Sequence, residues 1–281
     1  MRLRAASLAR RRLLRALAVS LTVPVLAGCT SLPGSQVQRV NGHGVELALS
    51  RHGGVPVVFE NGLGGQMTWW RDVLAELARD TTTLAYNRPG YGQSSPTDMP
   101  RDGQHVVEEL RALLRAQHLN PPYVLVGHSL GGLYMQLFAR RYPQETLALV
   151  LVDSTHPRQL DGEGALEKRA LIVRGLLRVV ATGTAREELR LLPDTGQQVL
   201  ALPAPPDTPV FVLSAAKPLA EHSAAADDAN AKRRDIARLY PSAQQVWVDS
   251  GHAMPLEKPD AIVAAVRQAL ALRRTGAAAG R

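Results

Sequence analysis

Gly127-His128-Ser129-Leu130-Gly131 has the spacing G-x-S-x-G, and its flanks give that spacing chemical meaning. The apolar run Tyr123-Val124-Leu125-Val126 precedes it and a helical pattern follows. A sharp strand-to-helix turn lifts a serine side chain above a sheet, and the helix amino terminus beneath it favours developing negative charge. Flanking glycines leave room for backbone that a Cβ would crowd. Ser129 is therefore the candidate nucleophile. A serine nucleophile needs a base, and the chain has eight histidines. His43 and His52 precede the core, His105 and His118 lie on or beside a surface helix, and His156 and His222 are loop candidates. His128 adjoins the serine, but chain neighbours at such a turn point elsewhere, so it reads as a packing or hydrogen-bonding residue. His252 alone follows a late strand within a glycine-flanked loop and precedes the closing helix, which makes it the candidate general base.

Elements able to position these residues run from Val37 onward. Strands are expected at Val45–Leu49, Val55–Glu60, Thr82–Tyr86, Tyr123–Gly127, Leu147–Val152, Val210–Leu213 and Gln245–Val248. Most are short continuous apolar runs, as in strands buried on both faces of a parallel sheet. Between them, Trp70–Ala78, Val106–Leu119, Leu130–Tyr142 and Ala261–Leu272 carry apolar residues at helical spacing. The alternation predicts an α/β fold, with a mostly parallel central sheet and helices on both faces. One interval departs from it. Roughly 55 leucine-rich residues separate the strand ending near Asp153 from the strand starting at Val210, more than a βα connection needs. The pattern predicts an inserted helical lid over about 154–208, with helices at Ala165–Val180 and Arg186–Leu192. Leu166, Leu171, Ile172, Leu176, Leu177, Leu189, Leu191 and Leu192 could line an apolar pocket there or pack the lid against itself and the body. The tail from Thr275 to Arg281 is Ala/Gly-rich and expected to fray.

The formal charge of +8 does not indicate a nucleic-acid binder, because it is unevenly distributed. Residues 1–28 hold Arg2, Arg4, Arg10, Arg11, Arg12 and Arg15 and no acid, and without them 27 basic residues face 25 acidic ones. The remaining body is nearly neutral and does not attract polyanions. The first 28 residues read as a signal peptide, basic and then apolar from Leu13 to Ala27, too short after Arg15 to span a membrane. Arg10-Arg11-Arg12 leaves open a twin-arginine export route. Leu26-Ala27-Gly28-Cys29 resembles the lipobox of bacterial lipoproteins, which implies lipidation of Cys29, the only cysteine, and a membrane lipid anchor in the cell envelope. Residues 29–36 are expected to be a tether, and 37–281 the folded domain.

Four ordered segments together resemble the α/β-hydrolase family across Val37 to Leu272. Asn61-Gly62-Leu63-Gly64-Gly65 is similar to the family's His-Gly loop, with asparagine for histidine. Asn87-Arg88-Pro89-Gly90-Tyr91-Gly92-Gln93-Ser94 resembles its Asp-Arg-Pro-Gly-Tyr-Gly-x-Ser turn, with Asn87 for aspartate. The serine motif and Asp249-Ser250-Gly251-His252 complete the set. The resemblance implies an oxyanion hole from the backbone N–H groups of Leu63 and Leu130. It also bears on the triad acid. Most members place it after the strand that follows the lid, where this chain has Ser214-Ala215-Ala216-Lys217-Pro218 and no acid. Some members, certain haloalkane dehalogenases among them, place it one strand earlier, where this chain has Asp153. Asp153 is therefore the expected acid, with Glu221, Asp227 and Asp228 as competitors and local loop capping as the other use of Asp153.

Such a set implies a serine esterase acting on a small-molecule ester through an acyl-enzyme. A serine nucleophile excludes the family's aspartate-dependent chemistries. No dinucleotide fingerprint, phosphate loop or clustered metal ligands occur, so no cofactor and no metal are expected. A peptidase, a carbon–carbon hydrolase or a perhydrolase of the same fold remain alternatives, as does a non-catalytic binding module on that scaffold.

Overall fold

The computed structural model describes residues 31–165 and 183–278. Within them, eight strands form one sheet: β1 (Gln36–Val40), β2 (His43–Ser50), β3 (Val57–Glu60), β4 (Thr83–Tyr86), β5 (Tyr123–His128), β6 (Thr146–Val152), β7 (Val210–Ala215) and β8 (Ala243–Val248). Their spatial order is β1-β2-β4-β3-β5-β6-β7-β8. The pairs β1–β2 and β2–β4 are antiparallel, and every pair from β4 across to β8 is parallel. Parallel neighbours need crossovers, and helices supply them. In chain order they are α1 (Arg71–Leu77), α2 (Gly103–Ala116), α3 (Leu130–Arg141), α4 (Thr184–Arg190), α5 (Leu192–Leu200), α6 (Ala224–Asp235), α7 (Met254–Glu257) and α8 (Pro259–Ala278).

Continuous apolar strands divide their side chains between two cores, because successive residues face opposite sides of a sheet. Val58, Leu84, Leu125, Leu149, Leu151 and Val212 pack on one face with α2 and α3. Val57, Ala85, Val124, Val126, Val150 and Phe211 pack on the other with α1 and α8. Burial on both faces at once explains why these runs lack polar alternation.

The antiparallel edge begins earlier than expected. Gln36 already belongs to β1, and Leu32, in the stretch expected to be a tether, is buried against the second core. β1 escapes a sequence reading because Gln36-Val37-Gln38-Arg39-Val40 is mostly exposed at a sheet edge and offers little apolar signal. Residues 1–30, including the expected signal peptide and Cys29, lie outside the described residues. Among the described residues, no helix is long and apolar enough to cross a membrane.

Between β6 and β7, the spacing predicts one helix over Arg186–Leu192, whereas two are present, α4 and α5. Pro193 sits in the first turn of α5, where its missing N–H costs nothing, so a residue that looks like a breaker starts a helix. Leu192 and Val199 join the first core and Leu189 packs against it. Leu191 is buried as well. These leucines hold the insertion to the body. The rest of the expected lid helix, with Leu166, Leu171, Ile172, Leu176 and Leu177, lies outside the described residues, while Ala165 is not helical.

Candidate active site

Ser129 lies between β5 and α3 with φ +52° and ψ −122°, a backbone conformation that side chains with a Cβ rarely adopt. Its surroundings hold it there. Ser129 N donates to Val152 O at 3.1 Å, and Ser129 O accepts from Gly132 N and Thr155 N, each at 2.9 Å. The following helix packs so closely that a Cβ on Gly131 would lie 2.5 Å from the carbonyl oxygens of Glu60 and Asn61. A glycine there brings the amino terminus of α3 against the end of β3, with the serine side chain above.

His252 reaches Ser129 from the loop after β8, its Nε2 lying 3.0 Å from Ser129 Oγ. Its Nδ1 lies 2.6 Å from Asp153 Oδ2. Asp153 directly follows β6 with φ +37°, and its N–H donates to Leu213 O at 2.7 Å. Its second oxygen, Oδ1, accepts from Ala215 N at 3.1 Å, so the carboxylate covers the end of β7, where the commoner acid position would be. The structure thus brings Ser129, His252 and Asp153 together. Glu221 and Asp228 line a cleft beside His252 without bonding it, and Asp228 pairs with Lys232 at 2.7 Å. Burial works against the Asp153 charge, but bonds from His252, Arg233 and Ala215 outweigh it and hold the carboxyl below the ordinary aspartate range. The imidazole is half exposed, at 52%, so solvent and small molecules reach it.

His128, the buried neighbour of the serine, donates from Nε2 to His252 O at 2.8 Å. Its ring also packs at a tilt against those of Trp69 and His252, with centroids 5.5 and 4.9 Å away. Burial, then the neighbouring His252, pushes it down to about 4, so it is neutral at pH 7. It anchors the loop that carries His252.

Gly62 approaches so closely that a Cβ there would lie 3.0 Å from Ser129 Cβ. Arg88 fixes this loop from below, its Nη1 donating to Asn61 O at 2.7 Å and its Nη2 to Gly62 O at 3.1 Å. Arg88 is itself buried between Glu60, at 2.6 Å, and Glu188 of α4, at 2.7 and 2.9 Å. Tyr91 Oη donates to Glu188 at 2.8 Å and accepts from Gly64 N at 3.3 Å. With Asn61 O and Gly62 O drawn towards Arg88, and Asn61 N, Gly64 N and Gly65 N bonded to Glu60, Tyr91 and Gly62 O, the loop is fixed around Leu63. Among the described residues, neither Leu63 N nor Leu130 N has an acceptor. Asn87 accepts from Met67 N at 2.8 Å and donates its amide to buried Glu46 at 2.7 Å. An aspartate could not make the second bond, which accounts for the departure at this position. Arg88 stands in a motif legible in sequence, but its partner Glu188, a hundred residues away, carries no local signal, and neither does Arg233. Among the described residues, no group of three or more His, Cys, Asp or Glu is placed to hold a metal.

A family model of the alpha/beta hydrolase fold matches residues 55–185. Over 100 residues the chain is 33% identical to an uncharacterized protein, YqjL, of Bacillus subtilis; the match covers 36% of this chain and spans 40% of that relative's length. Among solved structures, an enol-lactonase from Burkholderia xenovorans superposes with a TM-score of 0.64 at 18% identity, covering 84% of this chain and 100% of the other. A haloalkane dehalogenase variant from Bradyrhizobium elkanii gives 0.66 at 16% identity, covering 88% and 99%. Strand order, family model and structural neighbours agree: this chain has the α/β-hydrolase fold.

Proposed function

We propose that the chain is a serine hydrolase that cleaves carboxylic esters of small to medium, apolar character through an acyl-enzyme. The observation that carries this reading is the unbroken line from Ser129 Oγ through both ring nitrogens of His252 to Asp153 Oδ2, at 3.0 and 2.6 Å. Fold alone does not choose the reaction, since similar folds carry out lactone and haloalkane chemistry; the serine does. His252 Nε2 takes the Ser129 proton as Oγ attacks the ester carbonyl carbon, and Asp153 stabilises the imidazolium that forms. The carbonyl oxygen becomes an oxyanion held by Leu63 N and Leu130 N. Collapse breaks the ester C–O bond, and His252 returns its proton to the departing alcohol. Water, deprotonated by His252, then attacks the acyl carbon, and the acid leaves as Ser129 recovers its proton. Leu63 and Leu189, only partly buried, lie beside the loop that supplies one donor, which supports an apolar substrate part. A lactone is a cyclic ester, so the neighbouring enol-lactonase falls in the same bond class. From residues 1–29 alone we also propose export to the bacterial envelope with a lipid anchor on Cys29.

Covalent labelling by a fluorophosphonate, followed by peptide mapping, tests the reading directly. Ser129 should carry the label, and Ser129→Ala should lose labelling and ester hydrolysis by about 10⁴-fold or more while remaining folded. Full activity in folded Ser129→Ala would overturn it. Esters, amides and lactones of graded size then separate an esterase from a peptidase.

A further inference from the structure

Asp153 serves three donors with one carboxylate. Oδ2 faces His252, whereas Oδ1 accepts from Ala215 N and from Arg233 Nε, each at 3.1 Å. Arg233 stands on α6, the alanine-rich helix whose acids compete with Asp153 in the sequence, and it brings a cation instead. Asn230, one turn earlier, accepts from Arg233 Nη1 at 3.1 Å and is itself tied down by donating to Pro218 O at 3.0 Å. The guanidinium is therefore aimed. Asp153 is 2% exposed and Arg233 20%, so solvent screens this pair less than it screens an ion pair on the surface.

We propose that Arg233 is a positioning residue for the reaction, clamping the Asp153 carboxylate from the side away from His252 and drawing part of its charge away from the imidazole. The inference rests on the serine-hydrolase reading above. With the clamp in place, Oδ2 keeps a single orientation towards Nδ1, and the cation offsets some of the field that would hold a proton on His252. Other groups around His252 are the buried His128 of β5, neutral in this window, with Lys217, Glu221, Asp228 and Glu257 at or near the cleft rim. All remain when Arg233 is replaced.

The experiment follows the rate of fluorophosphonate labelling of Ser129 against pH in the full chain, for wild type, Arg233→Gln and Arg233→Lys. Losing the cation leaves the carboxylate field undiminished, stabilises imidazolium and moves the acidic limb of the profile upward, by about half to one pH unit for Arg233→Gln. Arg233→Lys should keep the limb within about 0.3 unit of wild type, because the charge stays. A lower plateau with coincident limbs means that Arg233 only supports the fold, and overturns the proposal. If Arg233→Gln does not fold, Asn230→Ala decides: releasing the guanidinium should move the limb in the same direction, and an unmoved limb overturns the proposal. Absence of Ser129 labelling in wild type defeats the hydrolase reading itself, a different result from labelling with unchanged limbs.

Discussion

Asp153 offers its oxygens to unlike neighbours, two fixed donors on Oδ1 and the His252 ring on Oδ2. That asymmetry determines what asparagine would do there. In Asp153→Asn the carbonyl oxygen must face Ala215 N–H and Arg233, which turns the new NH₂ group towards His252 Nδ1. Nδ1 then has to accept, the ring proton moves to Nε2, and Nε2 can no longer take a proton from Ser129. A loss of about 10⁴ in kcat is expected, as for the same replacement in other triads. Glu221→Gln and Asp228→Asn, which touch neither partner, should stay within a few-fold of wild type in the same assay. A comparable loss in either, or near-normal turnover in Asp153→Asn, would remove Asp153 from its role. His128 shows the same dependence on bonding partners: a histidine beside the serine could be mistaken for the base, yet its bond to His252 O commits its Nε2 proton to anchoring a loop.

At the scale of elements, what was legible in the sequence follows from how local the cause is. The serine turn needs a buried strand, two glycines and a helix start within a dozen residues, and each is visible in the order of residues. Burial on both faces makes β3 to β7 continuous apolar runs, whereas β1 and β8, at the edges, are half polar and their bounds are harder to read. Asp153 required an inference from a vacant place after β7, possible because β6 and β7 are neighbours and either strand end can reach the same ring. The ties between elements were illegible. Nothing near Glu188 announces that it crosses to Arg88, or that Arg88 in turn holds the carbonyls of Asn61 and Gly62. That chain of contacts joins α4, in the insertion, to the loop beside the serine. Glu188→Gln keeps the shape but replaces the charge-assisted bonds to Arg88 Nε and Nη2 with weaker neutral ones, while the buried Arg88–Glu60 pair remains. Stability should fall by about 1–3 kcal/mol in chemical denaturation. At temperatures where the variant is still folded, Ser129 labelling should slow as the loop loosens. Unchanged stability and labelling would mean that α4 is held by its apolar contacts alone.

For the molecule as a whole, charge is distributed by segment: the basic excess belongs to residues 1–28, and the domain behind them is close to neutral. With Cys29 acylated as proposed, the protein should fractionate with membranes, and Cys29→Ala should move it to the soluble envelope fraction, because several acyl chains hold firmly where one does not. An unmodified Cys29 in the mass spectrum of the mature chain would exclude the anchor. The folded domain has a pH dependence of its own. His128 is 3% exposed, and burial with the nearby His252 lowers it from 6.5 to about 4. A histidine lowered in the native state binds its proton later than in the unfolded chain, so acid favours unfolding. Its contribution is whole above pH 6.5, shrinks as the pH falls and is gone below about 4, a span of about 3 kcal/mol. His156, lowered by burial against the pull of Asp235, acts in the same sense below the ordinary histidine value of 6.5. Asp153 does not enter there, since a depressed carboxyl loses its stabilising effect only as the pH falls below the ordinary aspartate value of 3.8. The free energy of unfolding in urea should therefore decline from pH 7 to pH 4.5. In His128→Gln, whose amide can still donate to His252 O, the decline should be shallower by most of the His128 share. Parallel curves for the two proteins would show that His128 takes up its proton without opening the fold, and that the acid sensitivity lies elsewhere.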